Sequence, residues 1–190
     1  MNLNWNKIIN NSKQLMKKQT KKNSSPAWEL TEIAVKKGEE LSKKYKVDRN
    51  LVIISLYLAH TRFNINKNSP IRINHPELSS KFTKPYLDKW KVPIDKQEII
   101  FNSIEAHHGK IKPKTLIAEV VKNAECYKFV TIKGALIFLH ELGRRDKLGY
   151  KESIKEVLEK VDSKYKLLTF PECKEEAKKN VKIIKTIFKK

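Results

Sequence analysis

Asp48 opens a stretch, DRNLVIISLYLAHTRF, in which residues 51 to 59 are apolar apart from Ser55, and His60 closes the run. An aspartate at an N-cap accepts hydrogen bonds from the first free backbone N–H groups of a helix. A helix with apolar side chains on every side has no face to give to water. The stretch therefore predicts a helix at the centre of a bundle, with the other elements arranged around it. Five glycines and seven prolines in 190 residues, against abundant Lys, Glu, Ile and Leu, favour helices over strands and turns. The expectation is an all-α protein with one hydrophobic core, a length that also allows a domain with an appendage.

The flanking segments follow the helical period. Residues 1–23 hold one apolar cluster, Trp5, Ile8 and Ile9, followed by KKQTKKNSS, which reads as a short helix and a flexible basic hinge. Ser25 as N-cap and Pro26 at the first helical position open a helix with Leu30, Ala34, Leu41 and Tyr45 on one stripe. Residues 64–76 read as a loop with His75 just before Pro76, and a helix follows over about 77–90. Asp95 with Glu98 forms a capping-box-like start to a helix whose Ile100, Phe101 and Ile104 face the core and which Gly109 stops. Two further helices end near Gly143. The tail adds one from about 150 and, after Pro171, one with Ala177, Val181, Ile184 and Phe188 on a single stripe. This divides the chain into a basic N-terminal segment (1–24), a helical domain (25–145) and C-terminal helices (146–190) packed on the same domain.

Cys126 and Cys173 form no CxxC or Cys/His ligand pattern, so reduced thiols, a reducing cytoplasm and no zinc ribbon are expected. No apolar stretch approaches the roughly 20 residues of a membrane span, and the N-terminal residues lack the apolar core of a signal peptide. The expectation is a soluble cytoplasmic protein. The net charge is +20, with six lysines and no acid in residues 1–24, and seven lysines against three glutamates in residues 171–190. Such ends suit non-specific nucleic acid binding, attraction of an anionic substrate, or a merely solvated surface.

The histidines decide between a structural and a chemical reading of His60. Taken singly, a histidine on an apolar helix is a core residue hydrogen-bonded to a carbonyl. His75, His107 and His108 recur at the ends of elements, whereas His140, in LIFLHEL, stands apart and reads as structural. At the end of a helix His107 and His108 meet a dipole that stabilises an imidazolium. With Lys110 and Lys112 they suit a phosphate, or are simply good C-terminal residues.

The core run before His60, HPELSSKFTKPYLDKWKVP and SIEAHHGKIKPKTLIAEVVKNAECYK together resemble the HD superfamily of metal-dependent phosphohydrolases, over about residues 25–145. The resemblance implies an HD-domain helical bundle with extra N- and C-terminal helices. In that family the metal is held by a first His, a consecutive His-Asp pair and a distant Asp. Those positions fall here on Trp28, on His60 with Thr61, and on Glu125. An indole has no lone pair for a metal and a hydroxyl is a poor ligand beside a carboxylate, so Trp28 and Thr61 are degenerate positions. Trp28 reads equally as a core tryptophan.

His60 and Glu125 remain, with His107 or His108 to complete a rearranged set, only one of two adjacent helical residues pointing the same way. The implied cofactor is a divalent metal (Mn, Fe, Ni or Mg), held weakly or not at all. Arg62, His75, His107, His108 and Lys110 are the candidate contacts to a phosphorylated small molecule or nucleotide. Three functions follow: a phosphohydrolase-like protein that binds a phosphorylated ligand beside a decayed metal centre; an active phosphohydrolase or phosphodiesterase with a rearranged site; or a basic nucleic-acid-binding or partner-binding module on the same scaffold.

Overall fold

The computed structural model describes residues 3–63 and 74–188, and these form nine α-helices and one 3₁₀ turn. The helices are α1 (Trp5–Asn23), α2 (Trp28–Tyr45), α3 (Arg49–Leu58), α4 (His75–Lys89), α5 (Ile94–Ala106), α6 (Leu116–Tyr127), α7 (Ile132–Asp146), α8 (Tyr150–Leu167) and α9 (Pro171–Phe188). The 3₁₀ turn, Lys128–Val130, joins α6 to α7. No strand occurs among the described residues, and the all-α class expected from composition is the one found. Most of the loop expected over 64–76 lies outside the described residues.

The apolar run forms α3, opened as expected by Asp48, whose carboxylate accepts the backbone N–H of Asn50 and Leu51. α3 packs against α1, α2, α4, α5 and α6. Its side chains divide between two hydrophobic clusters. Val52, Ile53, Leu56 and Tyr57 belong to a larger one shared with α2, α6, α7, α8 and α9. Leu51, Ile54 and Leu58 belong to a smaller one shared with α1, α4 and α5. A helix that feeds two cores must be apolar all round, which accounts for the composition of the run.

The expected stripe on α2 is in place, with Leu30, Ala34 and Leu41 buried. That on α9 buries Ala177, Val181 and Ile184. Four local expectations fail. Residues 1–23 are not a short helix with a hinge: α1 runs unbroken through the lysines, because Ser12, Leu15, Met16 and Gln19 continue the stripe that Ile8 begins and bury it against α3. α2 starts after Ala27, with no side-chain cap, and not from Ser25. α5 starts after Pro93, so Asp95 sits inside the first turn as a charge favourable to the helix dipole and not as its cap. The helix expected to end near Gly143 continues to Asp146. Both cysteines are buried free thiols, and no described helix is long and apolar enough to cross a membrane.

Candidate functional site

Five segments deliver polar side chains to one point. His60 lies two residues beyond α3, and His75 is the first residue of α4. His107 and His108 follow α5, Glu125 and Lys128 end α6 and open the 3₁₀ turn, and Lys164 comes from α8. Ring centroids of His75, His107 and His108 stand 5.0, 4.7 and 6.1 Å from that of His60. His107 and His108 are not alternatives: the chain leaves the helix at Ala106, so both rings turn inward, 4.1 Å apart. Gly109, at φ 78°, completes that turn in a conformation open to glycine.

Hydrogen bonds set the tautomers. His60 Nε2 lies 2.7 Å from Glu125 Oε2. Burial and the nearby Lys128 lower the His60 pKa against the pull of Glu125. The ring is then neutral, Nε2–H donates to the carboxylate, and Nδ1 carries a lone pair that is buried without a hydrogen-bond partner. His107 follows the same pattern. Its Nδ1–H donates to Ile104 O at 2.5 Å, and its buried Nε2 has no partner. Burial, and then His60, hold its pKa well below the ordinary histidine value. Desolvation thus overrides the helix-end dipole that favours imidazolium at this position.

A second chain runs from Lys164, which donates to His108 Nδ1 at 2.8 Å. His108 Nε2–H then points at His75 Nε2, 3.2 Å away. Burial, then His107 and Lys164, hold His108 well below its ordinary pKa, and burial lowers that of Lys164. Glu125 is the counter-charge. Burial opposes its ionisation, but Lys128, whose Nζ is 2.5 Å from Oε2, and His60 outweigh burial and hold its carboxyl well below the usual range.

One nitrogen from each of His60, His75 and His107 falls within 4.8 Å of the others. Metal-bound histidines characteristically donate their other N–H to a carboxylate or a backbone carbonyl. His60 does so to Glu125 and His107 to Ile104. His60 and His107 thus keep a free lone pair for a divalent ion that accepts imidazole, and His75 would join them on releasing its hydrogen bond from His108. Glu125 stands behind His60 as its orienting partner, with Oε2 shared between His60 and Lys128.

Among the described residues, two cavities adjoin the cluster. One, of about 150 Å³, is lined by His60, His75, His108, Lys128, Glu141 and Lys160 with an apolar rim that includes Leu30, Phe63 and Phe138. The other, of about 420 Å³, shares His75 and His108 and adds Glu77, Glu105 and Lys110. The remaining candidates lie elsewhere. Arg62 lines neither cavity: its guanidinium sits 5.4 Å over Phe82 and its backbone N–H donates to Ser79 Oγ. Thr61 is buried and donates its hydroxyl to Leu58 O. Trp28 stacks on Tyr57 at 6.0 Å beneath Lys17, while Leu30 of the same helix lines the smaller cavity. His140 is exposed on α7 and so is no core residue.

No family model and no curated protein matches the chain. Among solved structures, the crystal structure of a Lactobacillus plantarum protein from a structural-genomics programme is similar over 97% of this chain and 93% of that one, with a TM-score of 0.72. The two are 15% identical, so the likeness is one of fold.

Sequence reasoning passed over Lys128, Lys160 and Lys164. Lys128 closes NAECYK, three residues after Glu125, where a cation on the same helix face pairs with the carboxylate. Lys164 continues the buried stripe of Ser153, Val157 and Val161, and a lysine on an apolar stripe is a visible anomaly.

Proposed function

We propose that the protein binds a phosphorylated small molecule or nucleotide at the two adjoining cavities, on a bundle of the HD-superfamily kind whose metal chemistry is reduced. The observation that carries this reading is Lys128. An ammonium held 2.5 Å from Glu125 Oε2 and 3.2 Å from His60 Nε2 supplies, on a covalent tether, positive charge at the carboxylate and histidine that the family resemblance assigns to a metal. In the smaller cavity Lys128 and Lys160 are the cations and His60, His75 and His108 further polar contacts, beside one carboxylate, Glu141, which is paired with Arg144; the cations and imidazoles suit charge-assisted hydrogen bonds with a phosphoryl group. The larger cavity has room for the organic part of the ligand, with Lys110 at its wall.

A second reading rests on a different observation. The buried lone pairs of His60 Nδ1 and His107 Nε2 have no hydrogen-bond partner, and with His75, once released from His108, they make a three-imidazole set that would hold a divalent ion. Such an ion supplies Lewis-acid polarisation of a phosphoryl oxygen and activation of water. The chain's own contribution is to orient His60 through Glu125 and His107 through Ile104.

Isothermal titration of protein freed of metal, with inorganic phosphate and with nucleoside mono- and diphosphates, tests the first reading. Binding without added metal, weakened about tenfold or more by Lys160→Met, is the expected result. Binding that appears only with Mn²⁺, Fe²⁺ or Ni²⁺ and is lost in His107→Gln moves the conclusion to the second reading. Absence of binding in both conditions removes the first.

A further inference from the structure

Away from the histidine cluster, α1 and the C-terminal end of α4 enclose a groove of about 610 Å³. α4 has 15 residues, so its C-terminus lies roughly 20 Å from His75 at its start. Lys7 and Gln14 line the groove from α1, and Tyr86, Lys89, Trp90 and Lys91 from α4 and its end. The side chains of Ile8 and Leu15, both buried, form the floor. Tyr86 and Trp90 lie with ring centroids 5.9 Å apart and continue to Phe82, 5.4 Å beyond Tyr86, as an aromatic row along α4. Tyr86 and Trp90 are half-buried, so each keeps part of its surface open to the groove.

The charge of this wall is not neutralised locally. α1 carries six lysines and no acid, and Lys7 is the one that lines the groove. Among the described residues none of the six forms an ion pair, nor does Lys89 or Lys91, whereas Lys81 and Lys84 on the same α4 pair with Glu77 and Asp88. Unpaired lysines line the groove, while the paired ones lie earlier on the helix.

We propose that this groove binds single-stranded nucleic acid. Lys7 on one wall and Lys89 and Lys91 on the other contact a phosphate backbone and release its counterions. Tyr86 and Trp90 offer ring faces on which unpaired bases stack, and the Gln14 amide provides a donor and an acceptor for base edges. An anionic membrane surface fits less well, because the apolar atoms form the floor of a groove, with Lys7 on one side and Lys89 and Lys91 on the other, and not a ridge that could enter lipid.

Fluorescence anisotropy of a labelled oligo(dT) with the full chain, over a salt titration, provides the test, with its duplex and phosphatidylserine vesicles as competing polyanions. The double variant Lys7→Glu/Lys89→Glu is compared with Lys174→Glu/Lys178→Glu on the exposed face of α9, which changes net charge equally. The groove variant is expected to bind oligo(dT) at least about tenfold more weakly than the α9 variant. Its log–log salt slope should fall by about 1.4, because two phosphates of the strand are no longer neutralised. Trp90→Leu, with helicity retained, is expected to cost roughly tenfold as base stacking is removed. Equal weakening in the two charge variants, preference for the duplex, or an effect confined to vesicle binding would each overturn the assignment.

Discussion

Lys128 is buried to 1% exposure, as is its partner Glu125 to 2%, so the pair has exchanged water for each other. Removing one member of such a pair strands a charge in a low-dielectric site. Lys128→Met is therefore expected to destabilise the fold by about 3 kcal/mol or more. Glu125→Gln/Lys128→Met is expected to cost clearly less than the single change, since neither charge remains. Urea unfolding of the three chains checks this, and a double variant as unstable as the single one would mean that packing, not charge, sets the cost. The histidines add a pH dependence of definite sign. His60, His107 and His108 all have folded pKa values below the ordinary 6.5, so the unfolded chain takes up protons first as pH falls. Stability is then lost on acidification through about pH 6.5, at up to roughly 1.4 kcal/mol per pH unit for each histidine. Glu125, with its folded pKa held low, adds its loss only below its ordinary 4.5. A urea midpoint that falls between about pH 7 and pH 5, less steeply in His107→Gln, is the expected result; a flat profile contradicts the neutral assignment of the cluster.

Two elements hold the site's parts in position in ways the helical period does not announce. Gly134, early in α7, lies so close to the 3₁₀ turn that a Cβ there would stand 1.7 Å from Lys128 O. Gly134→Ala must push the turn away and move Lys128 with it. A destabilisation of about 2 kcal/mol or more is expected, together with a loss of whatever phosphate binding the proposed site shows. Thermal unfolding and titration on the same variant check both, and wild-type behaviour in both would show that the turn does not control Lys128. α1 is the other element. Its lysines invite the reading of a basic hinge, yet Met16 is fully buried in the larger cluster and Ile8 and Leu15 in the smaller. The lysines occupy the outward faces while the apolar positions recur at helical spacing, a pattern masked by their wide separation and by the polar Ser12 and Gln19 among them. Met16→Ala is expected to cost about 2–5 kcal/mol, as for other large-to-small changes in cores, measured as a shift in urea midpoint.

Across the whole molecule the two hydrophobic clusters share α3, and α1 contributes to both, so neither is a separable unit. A single cooperative urea transition is expected, with fluorescence and circular dichroism coincident; two transitions would show that the clusters unfold independently. The C-terminal helices belong to the same body. Val157, Val161, Leu168, Phe170 and Cys173 lie in the larger cluster, Asn123 of α6 bonds Thr169, and Lys164 reaches the histidines. A chain ending at Asp146 is accordingly expected to lose its cooperative transition and expose apolar surface, read by dye binding.

The helical class, the central place of α3 and the apolar stripes of α2 and α9 are legible in the sequence, because each follows from composition and side-chain periodicity within one segment. Four histidines, His60, His75, His107 and His108, stand out there as spacing at the ends of elements, whereas Glu125 stands out only through the resemblance to the HD superfamily. Tertiary structure decided which of them touch, which ring nitrogens keep a lone pair, and that Lys128 and Lys164 enter the cluster while Arg62 turns to Phe82 and Trp28 to Tyr57. The reason is physical. A lysine is a solvated surface residue in nearly every local context, and only the burial of its neighbours from other helices turns it into part of a site. Protonation of a histidine likewise depends on desolvation and on charges brought from distant parts of the chain, here Glu125 and Lys128 against His60, which no single segment contains.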